Sequence, residues 1–147
     1  MIIYLEASAL VKRYVEEQGS EQLRRLLNRQ SLVATAAITS VELAAALTRG
    51  VRGQRLSQQE ADLIWQSFQN EWNDFIQVSV GSKVIHQAIE CARTYGLRGY
   101  DAVHLAAAQF CVTNLVENTL SVVMATFDQE LHNAARQAGL DVYPSNL

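Results

Sequence analysis

The sequence predicts an α/β protein in which a parallel sheet lies between two layers of helices. Short apolar runs alternate with amphipathic segments of roughly ten or more residues, the pattern of right-handed βαβ units. These runs are nearly continuous in hydrophobicity, as is typical of strands buried on both faces. Hydrophobic residues make up 49% of the chain and charged residues 18%, which suits a fully covered sheet.

The first part of the chain predicts two strands and three helices. The strands cover residues 2–5 and 31–35, and the helices cover residues 9–16, 20–28 and 39–50. Ser8 is the expected N-cap of the first helix. The Thr39-x-x-Glu42 spacing matches a capping box at the start of the third. Residues 49–55, rich in glycine and arginine, are interpreted as a connector between helices.

The second part of the chain continues the alternation and ends on a short edge strand. A helix begins at Ser57 and carries aromatic residues at helical spacing. The elements that follow are a strand, two helices, a strand, a helix and a strand. They cover residues 75–80, 82–95, 102–110, 120–126, 128–136 and 141–143.

Bulk properties exclude several classes of protein. A length of 147 residues is close to the commonest domain size, so residues 1–147 are expected to form a single domain. The net charge of −3 argues against a generic polyanion binder. Cys91 and Cys111 lack the spacing of a zinc site or a disulfide scaffold, so buried thiols are expected. Glu6 interrupts the apolar N-terminus early, so we expect a cytoplasmic protein without a membrane span.

Four acidic residues stand where an apolar run gives way to a predicted helix. Glu6 and Asp128 follow two strand-like runs, and ligands of parallel sheets bind beyond the carboxyl ends of the strands. Glu42 and Asp101 lie in first turns of helices. Two carboxylates about 4 Å apart repel by roughly 4 kcal/mol at an effective dielectric of about 20. A cluster of four therefore predicts a bound hard cation and, with it, phosphodiester hydrolysis.

Three of these acids also have a purely structural interpretation. Glu42 fits the capping box, and Asp101 and Asp128 are favoured N-cap types. Glu6 has no such duty in this interpretation, because Ser8 can supply the cap. The two roles are compatible, since a helix N-terminus keeps a carboxylate ionised.

Four segments, in their order along the chain, resemble the signature segments of PIN domains, in particular VapC-type toxins. The Arg98-Gly99-Tyr100-Asp101-Ala102-Val103-His104 run is the most specific of them. The segments are Tyr4-Leu5-Glu6-Ala7-Ser8-Ala9-Leu10-Val11-Lys12, Ser40-Val41-Glu42-Leu43, residues 97–106, and Thr126-Phe127-Asp128. The resemblance spans essentially the whole chain and implies a three-layer α/β/α PIN-like domain with a central parallel sheet of about five strands.

The resemblance also implies a function and a set of site residues. Such proteins are Mg²⁺- or Mn²⁺-dependent ribonucleases of type II toxin–antitoxin modules, held inactive by a cognate antitoxin. It implies that Glu42, Asp101 and Asp128 bind metal. It also implies the partners: an RNA substrate, an antitoxin protein and a second copy of the chain in a homodimer.

Glu6 departs from the family pattern, which has Asp at the end of the first strand, usually followed by Thr or Ser. Glutamate is longer by one carbon–carbon bond, roughly 1.5 Å, which matters for ligand distances. Ala7 removes a hydroxyl, and Ser8 retains one. A shifted metal, a preference for Mn²⁺ and weak catalysis are therefore all open.

Ser8, Thr126 and Arg98 are the candidates for supporting roles near these acids. Arg98 is placed to hold a substrate phosphate, although a surface ion pair is the plainer interpretation. Thr126 is placed to orient Asp128 through its hydroxyl. His104 shares a helix face with Asp101, but a hard cation prefers oxygen ligands, so we interpret it as a core or hydrogen-bonded histidine.

Two other functions remain in view beside the nuclease. Glu6-Ala7 favours a catalytically impaired PIN-like module that binds RNA or a protein partner without cutting. A phosphoacceptor receiver domain also uses acids beyond parallel strands. It fits poorly, because the first strand is not followed by paired acids and the third has no suitably placed aspartate.

Overall fold

The computed structural model describes residues 1–27, 31–115 and 120–147. The strands are β1 (Ile2–Leu5), β2 (Leu32–Ala36), β3 (Ile76–Val78), β4 (Val122–Ala125) and β5 (Asp141–Tyr143). The helices are α1 (Ala7–Tyr14), α2 (Ser20–Leu26), α3 (Thr39–Arg52), α4 (Gln58–Trp72), α5 (Ser82–Tyr95), α6 (Gly99–Asn114) and α7 (Gln129–Gln137). No helix in these ranges has the length and apolar character that a membrane span requires.

All strands pair in parallel in one sheet, in the order β3-β2-β1-β4-β5. Strand β1 lies in the middle and is buried along its whole length. Its last residue, Leu5, pairs with Ala125, the last residue of β4. The chain segments that leave these two strands therefore begin side by side, which places Glu6 next to Thr126.

Alternation along β1 divides the core between the two faces of the sheet. Ile3 and Leu5 pack with apolar residues of α1, α2, α3 and α4. Ile2 and Tyr4 pack on the other face with residues of α5, α6 and α7. The α/β class, the three layers and the parallel sheet of five strands predicted from the sequence are confirmed. The edge strand at residues 141–143 and the helix at residues 82–95 have the predicted bounds.

The start of α1 differs from the prediction. The helix begins at Ala7, and its N-cap is Glu6, whose side chain accepts a hydrogen bond from the backbone N–H of Ser8. Ser8 is therefore not the cap. Glu6, which was not expected from the sequence to cap a helix, is the cap of α1, because the helix begins directly after β1. The helix correspondingly ends at Tyr14, before the predicted Glu16.

The predicted capping box of α3 is also wrong. The N-cap is Ile38, and no side chain caps this helix end. Thr39 is fully buried, and its hydroxyl oxygen lies 2.8 Å from that of Thr35. Glu42 reaches across the molecule to another helix, as described below. The motif fails because both of its side chains find partners elsewhere in the fold.

Residues 49–55 are not simply a connector, since α3 continues through Gly50 to Arg52. A Cβ at Gly50 would lie 2.9 Å from Leu56 Cδ1. The backbone N–H groups of Arg55 and Leu56 both donate to the Gly50 carbonyl. A side chain at residue 50 would have to displace the end of the Leu56 side chain, which packs on this glycine as the chain returns.

Other predicted bounds shift by a few residues. The helix predicted at residues 102–110 begins at Gly99 and runs to Asn114. The strands predicted at residues 31–35, 75–80 and 120–126 appear as β2, β3 and β4 with other ends. Residue 28, where the second helix was predicted to end, lies outside the described residues.

Candidate metal and catalytic site

Glu6 stands at the carboxyl end of the central strand, and only 6% of it is exposed. Its Oε1 accepts from the backbone N–H of Ser8 at 3.0 Å. Its Oε2 accepts from the hydroxyls of Ser8, at 2.5 Å, and Thr126, at 2.8 Å. These uncharged donors fix the carboxylate between two neighbouring strand ends.

The two hydroxyls also hold the segment that follows β4. The Ser8 hydroxyl accepts from the backbone N–H of Phe127 at 2.9 Å. The Thr126 hydroxyl accepts from the backbone N–H of Asp128 at 3.2 Å. Thr126 is fully buried. The predicted hydroxyl contact between Thr126 and Asp128 is therefore present, at the Asp128 backbone, and the same hydroxyl also donates to the Glu6 carboxylate.

Asp128 is the N-cap of α7. Its Oδ1 accepts from the backbone N–H of Leu131 at 2.9 Å. The residue is exposed to solvent, unlike Glu6. The capping role suggested by the sequence is present, and it leaves the side chain accessible at the edge of the sheet.

Asp101 lies in the first turn of α6 and is partly buried. Its pKa is raised, first by burial and then by the negative charges of Asp128 and Glu6. His104 and Arg98 act in the opposite direction and lower it. Asp128 and Glu6 are thus each close enough to Asp101 to disfavour its charged form, although the three residues come from separate parts of the chain.

Arg98 is the residue before α6 and is exposed. It caps the helix by position only, without a side-chain hydrogen bond to the helix end. Its charge acts on Asp101, as noted above. Arg98 is thus accessible to a ligand that approaches the acidic residues.

Glu42 approaches from the other side of the site through a buried histidine. Its Oε1 lies 2.6 Å from Nε2 of His104. Nδ1 of the same ring lies 2.8 Å from the hydroxyl of Tyr4. Burial raises the pKa of Tyr4 well above its ordinary value. The interpretation of His104 as a core, hydrogen-bonded residue is confirmed, and its partner is one of the four predicted acids.

The donor set fits a hard divalent cation in type and charge. Carboxylates and hydroxyls are oxygen ligands, and the raised pKa of Asp101 reports a repulsion that a cation would relieve. Across residues 1–27, 31–115 and 120–147, however, no three His, Cys, Asp or Glu side chains stand close enough together to hold an ion. Binding would therefore require the carboxylates to turn toward one another.

A groove of about 470 Å³ runs beside the acids. Its walls come from α1, α3 and the start of α6. They include Ala7, Ser8, Val11, Glu42, Arg49 and Tyr100. Tyr100 is 64% exposed and directly precedes Asp101. Of the four acids, Glu42 lines the groove itself, and Ser8 and Tyr100 are neighbours in sequence of Glu6 and Asp101.

Sequence reasoning missed Tyr4, which is fully buried in β1 with an apolar residue on either side. A phenol in such a strand needs a hydrogen-bond partner. That requirement was the available signal, but the sequence does not tell which residue meets it. The partner, His104, lies one hundred positions away.

Comparisons with known proteins agree with this architecture. The model of the family described as PIN domain matches residues 3–137. Ribonuclease VapC45 of Mycobacterium tuberculosis (strain CDC 1551 / Oshkosh) is 32% identical over 99% of this chain and 97% of its own. FitAcB from Neisseria gonorrhoeae has a TM-score of 0.67 at 16% identity, over 97% of both chains. A toxin-antitoxin complex from Klebsiella pneumoniae has a TM-score of 0.56 at 14% identity, over 82% of this chain and 83% of the other.

Proposed function

The chain belongs to the PIN domain family, and from that premise we propose that it is a divalent-metal-dependent endoribonuclease, the toxin of a type II toxin–antitoxin module. The reaction is hydrolysis of RNA phosphodiesters by water. The observation that carries the proposal is that Glu6 and Asp128, which follow the neighbouring strands β1 and β4, both act electrostatically on Asp101. Such a grouping of anions is unfavourable without a cation.

The metal-binding carboxylates in this proposal are Glu6, Glu42, Asp101 and Asp128. A bound Mg²⁺ or Mn²⁺ would supply a Lewis acid and lower the pKa of water. Ser8 and Thr126 hold the carboxylate of Glu6. Arg98 stands exposed beside the acids and offers a positive charge to a substrate phosphate. The chemistry requires no nucleophilic side chain from the protein.

The proposal extends to partners and location. The relative described above is named a ribonuclease, and one solved structure of like fold is a toxin-antitoxin complex. We therefore assign an RNA substrate and a cognate antitoxin to this chain. A homodimer and a cytoplasmic location complete the proposal.

A second candidate function has a specific observation in its favour. Glu6 is engaged as the cap of α1 and accepts three hydrogen bonds. A carboxylate committed in this way binds a cation less readily than a free one. The alternative is a catalytically impaired module that binds RNA or a protein partner without cutting.

The test measures RNA cleavage and Mn²⁺ binding with the same preparations. Purified chain, free of antitoxin, should cleave single-stranded RNA when Mn²⁺ is added and stop when EDTA is added. Asp101→Asn should abolish cleavage, because it removes a metal-binding charge while nearly preserving the shape of the side chain. Asp74→Asn, at an exposed position, is the matched control and should cleave normally.

Calorimetric titration separates the two functions. A nuclease should bind Mn²⁺ at a site that Asp101→Asn removes. The impaired module needs no such site, so RNA binding without Mn²⁺ binding or cleavage would favour it. Full activity of Asp101→Asn would end the nuclease proposal.

A further inference from the structure

We propose that His104, held in place by Tyr4, is a positioning residue that orients the Glu42 carboxylate for the cation. The inference rests on the proposed function, in which Glu42 binds metal. It adds two residues, from strand β1 and helix α6, that would not themselves touch the ion. Their role would be to present a ligand that belongs to a third element, α3.

The geometry is that of a continuous hydrogen-bonded row running from the core to the site. The Tyr4 hydroxyl lies 2.8 Å from Nδ1 of His104, and Nε2 of His104 lies 2.6 Å from Oε1 of Glu42. Tyr4 is 0% exposed and His104 is 1% exposed, whereas the Glu42 side chain is 27% exposed. Only the carboxylate end of the row therefore reaches solvent.

The positions of the hydrogens follow from the chemistry of the two ends. A carboxylate brings no hydrogen to the contact, so Nε2 of His104 must donate to Glu42. In a neutral ring, Nδ1 is then an acceptor, and the Tyr4 hydroxyl donates to it. The tyrosine thus selects the tautomer that the carboxylate needs. Metal-binding carboxylates are commonly hydrogen-bonded in this way by neighbouring groups.

The hydrogen bond from His104 also determines which carboxylate oxygen of Glu42 is available to bind a cation. In the described ranges, the hydrogen bond to Glu42 goes to Oε1, which leaves Oε2 to face a cation. Glutamate has three side-chain torsions, and fixing one oxygen removes most of that freedom before binding. Because His104 stands one turn after Asp101 on α6, the ring that holds Glu42 lies on the same helix face as Asp101.

The tautomer can be measured without any substitution. Nitrogen-15 NMR of the metal-free wild-type chain should show the His104 hydrogen on Nε2 and none on Nδ1. Tyr4→Phe removes the donor that selects this state, so a second tautomer or a broadened signal is expected. Tyr95→Phe, at the end of α5, is the matched control and should leave the His104 signals unchanged. A hydrogen on Nδ1 in the wild type would overturn the proposal.

The functional consequence is measured as Mn²⁺ affinity by calorimetry. His104→Leu keeps an apolar side chain of similar volume but loses the donor, and it should weaken Mn²⁺ binding by about 10–100-fold, the usual effect of removing such a partner. His104→Gln can still donate to Glu42 and should recover much of the loss. His86→Leu, on the exposed surface, should bind as the wild type does.

A double-mutant cycle tests whether His104 acts through Glu42. In a Glu42→Ala background, His104→Leu should cause no further loss of Mn²⁺ affinity. An equal loss in both backgrounds would show a merely structural role and overturn the proposal. If His104→Leu does not fold, Tyr4→Phe, which removes the hydrogen bond that holds the His104 ring, takes its place in the cycle.

The outcomes separate this inference from the proposed function. A wild-type chain that binds no Mn²⁺ would overturn the proposed function, and the inference with it. A wild-type chain that binds Mn²⁺ through Asp101, but is indifferent to the loss of the His104 donor, would overturn the inference alone. A selective loss that depends on Glu42 supports both.

Discussion

Replacing Glu6 with glutamine tests whether its carboxylate is a structural centre of the fold. The two side chains have nearly the same shape, but glutamine replaces one acceptor oxygen with an NH₂ group. In the wild type, both oxygens of Glu6 face hydrogen donors: the backbone N–H of Ser8 and the hydroxyls of Ser8 and Thr126. An NH₂ group at the Oε1 position faces the backbone N–H of Ser8, which can only donate, and at the Oε2 position it forces both hydroxyls to turn their hydrogens away.

The magnitude follows from the less damaging orientation. If the amide oxygen accepts from the two hydroxyls, the NH₂ group faces the N–H of Ser8, and that buried donor loses its acceptor. Leaving one buried group unsatisfied costs about 1–3 kcal/mol. For a chain of this length, the melting temperature should fall by about 2–4 °C for each kcal/mol. Glu6→Gln should thus lower the free energy of unfolding measurably without any metal present.

The assay is urea and thermal unfolding of the metal-free protein at neutral pH. Glu90→Gln, on an exposed turn of α5, is the matched control and should unfold as the wild type does. Equal stability of Glu6→Gln, Glu90→Gln and wild type would refute the hydrogen-bonding pattern at the end of β1. If Glu90→Gln also lost much stability, the removal of a negative charge, and not the loss of a hydrogen-bond acceptor, would explain the effect of Glu6→Gln.

Three further predictions concern Glu6 again and two of the other acids. Glu6→Asp should cleave RNA at the native rate or faster in a Mn²⁺ assay, because aspartate is the usual residue at this position in the family and is a favoured N-cap; a complete loss of cleavage would contradict this. The raised pKa of Asp101 means that the folded chain binds this proton more tightly than the unfolded chain. Its contribution to stability is present at acid pH and lost as the pH rises through the folded pKa. Asp101→Asn should therefore raise the melting temperature of the metal-free chain at neutral pH, and Mn²⁺ should raise it only in the wild type; a lower melting temperature would argue against repulsion at the site. Asp128→Ala removes the cap of α7 and should lower the free energy of unfolding by about 0.5–2 kcal/mol, measured by chemical denaturation. Asp128→Asn should keep the cap and the stability but lose RNA cleavage.

The sheet was predictable because local signals and the global fold agree. The strands at residues 2–5, 32–36 and 122–125 are short runs rich in strand-forming residues, and helices separate the strands along the chain. Strand order was not available from the sequence, since nothing local says that β1 lies between β2 and β4. The neighbouring position of Glu6 and Thr126 depends on that order.

Helix ends were predicted less well, because a capping motif shows only that a side chain is able to cap. Thr39 and Glu42 have the spacing of a capping box, but Thr39 lies in the core against Thr35 and Glu42 bonds to His104. Conversely, Ser57 and Glu60 form a capping box at the start of α4. From the sequence, Ser57 was predicted only to begin the helix. Competition from distant partners decides these cases.

The acids of the candidate site were found from sequence because each follows a junction between elements. Their hydrogen-bond partners were not, because these partners come from elsewhere in the chain. Tyr4 and His104 are one hundred positions apart, and Glu42 is sixty-two positions from His104. Spacing along one helix could show that His104 faces the same side as Asp101. It could not show that a tyrosine on the central strand holds the ring.

The hydrogen bonds of Glu6 bear directly on the choice between an enzyme and an impaired module. A carboxylate has about four lone-pair sites, and Glu6 already accepts three hydrogen bonds, two of them at Oε2. One site on Oε1 is left, which permits a single bond to a cation but not a bidentate one. Asp101, Asp128 and Oε2 of Glu42 must then supply most of the bonds to the cation. If the chain is a nuclease, Mn²⁺ affinity should therefore depend more on Asp101 than on Glu6.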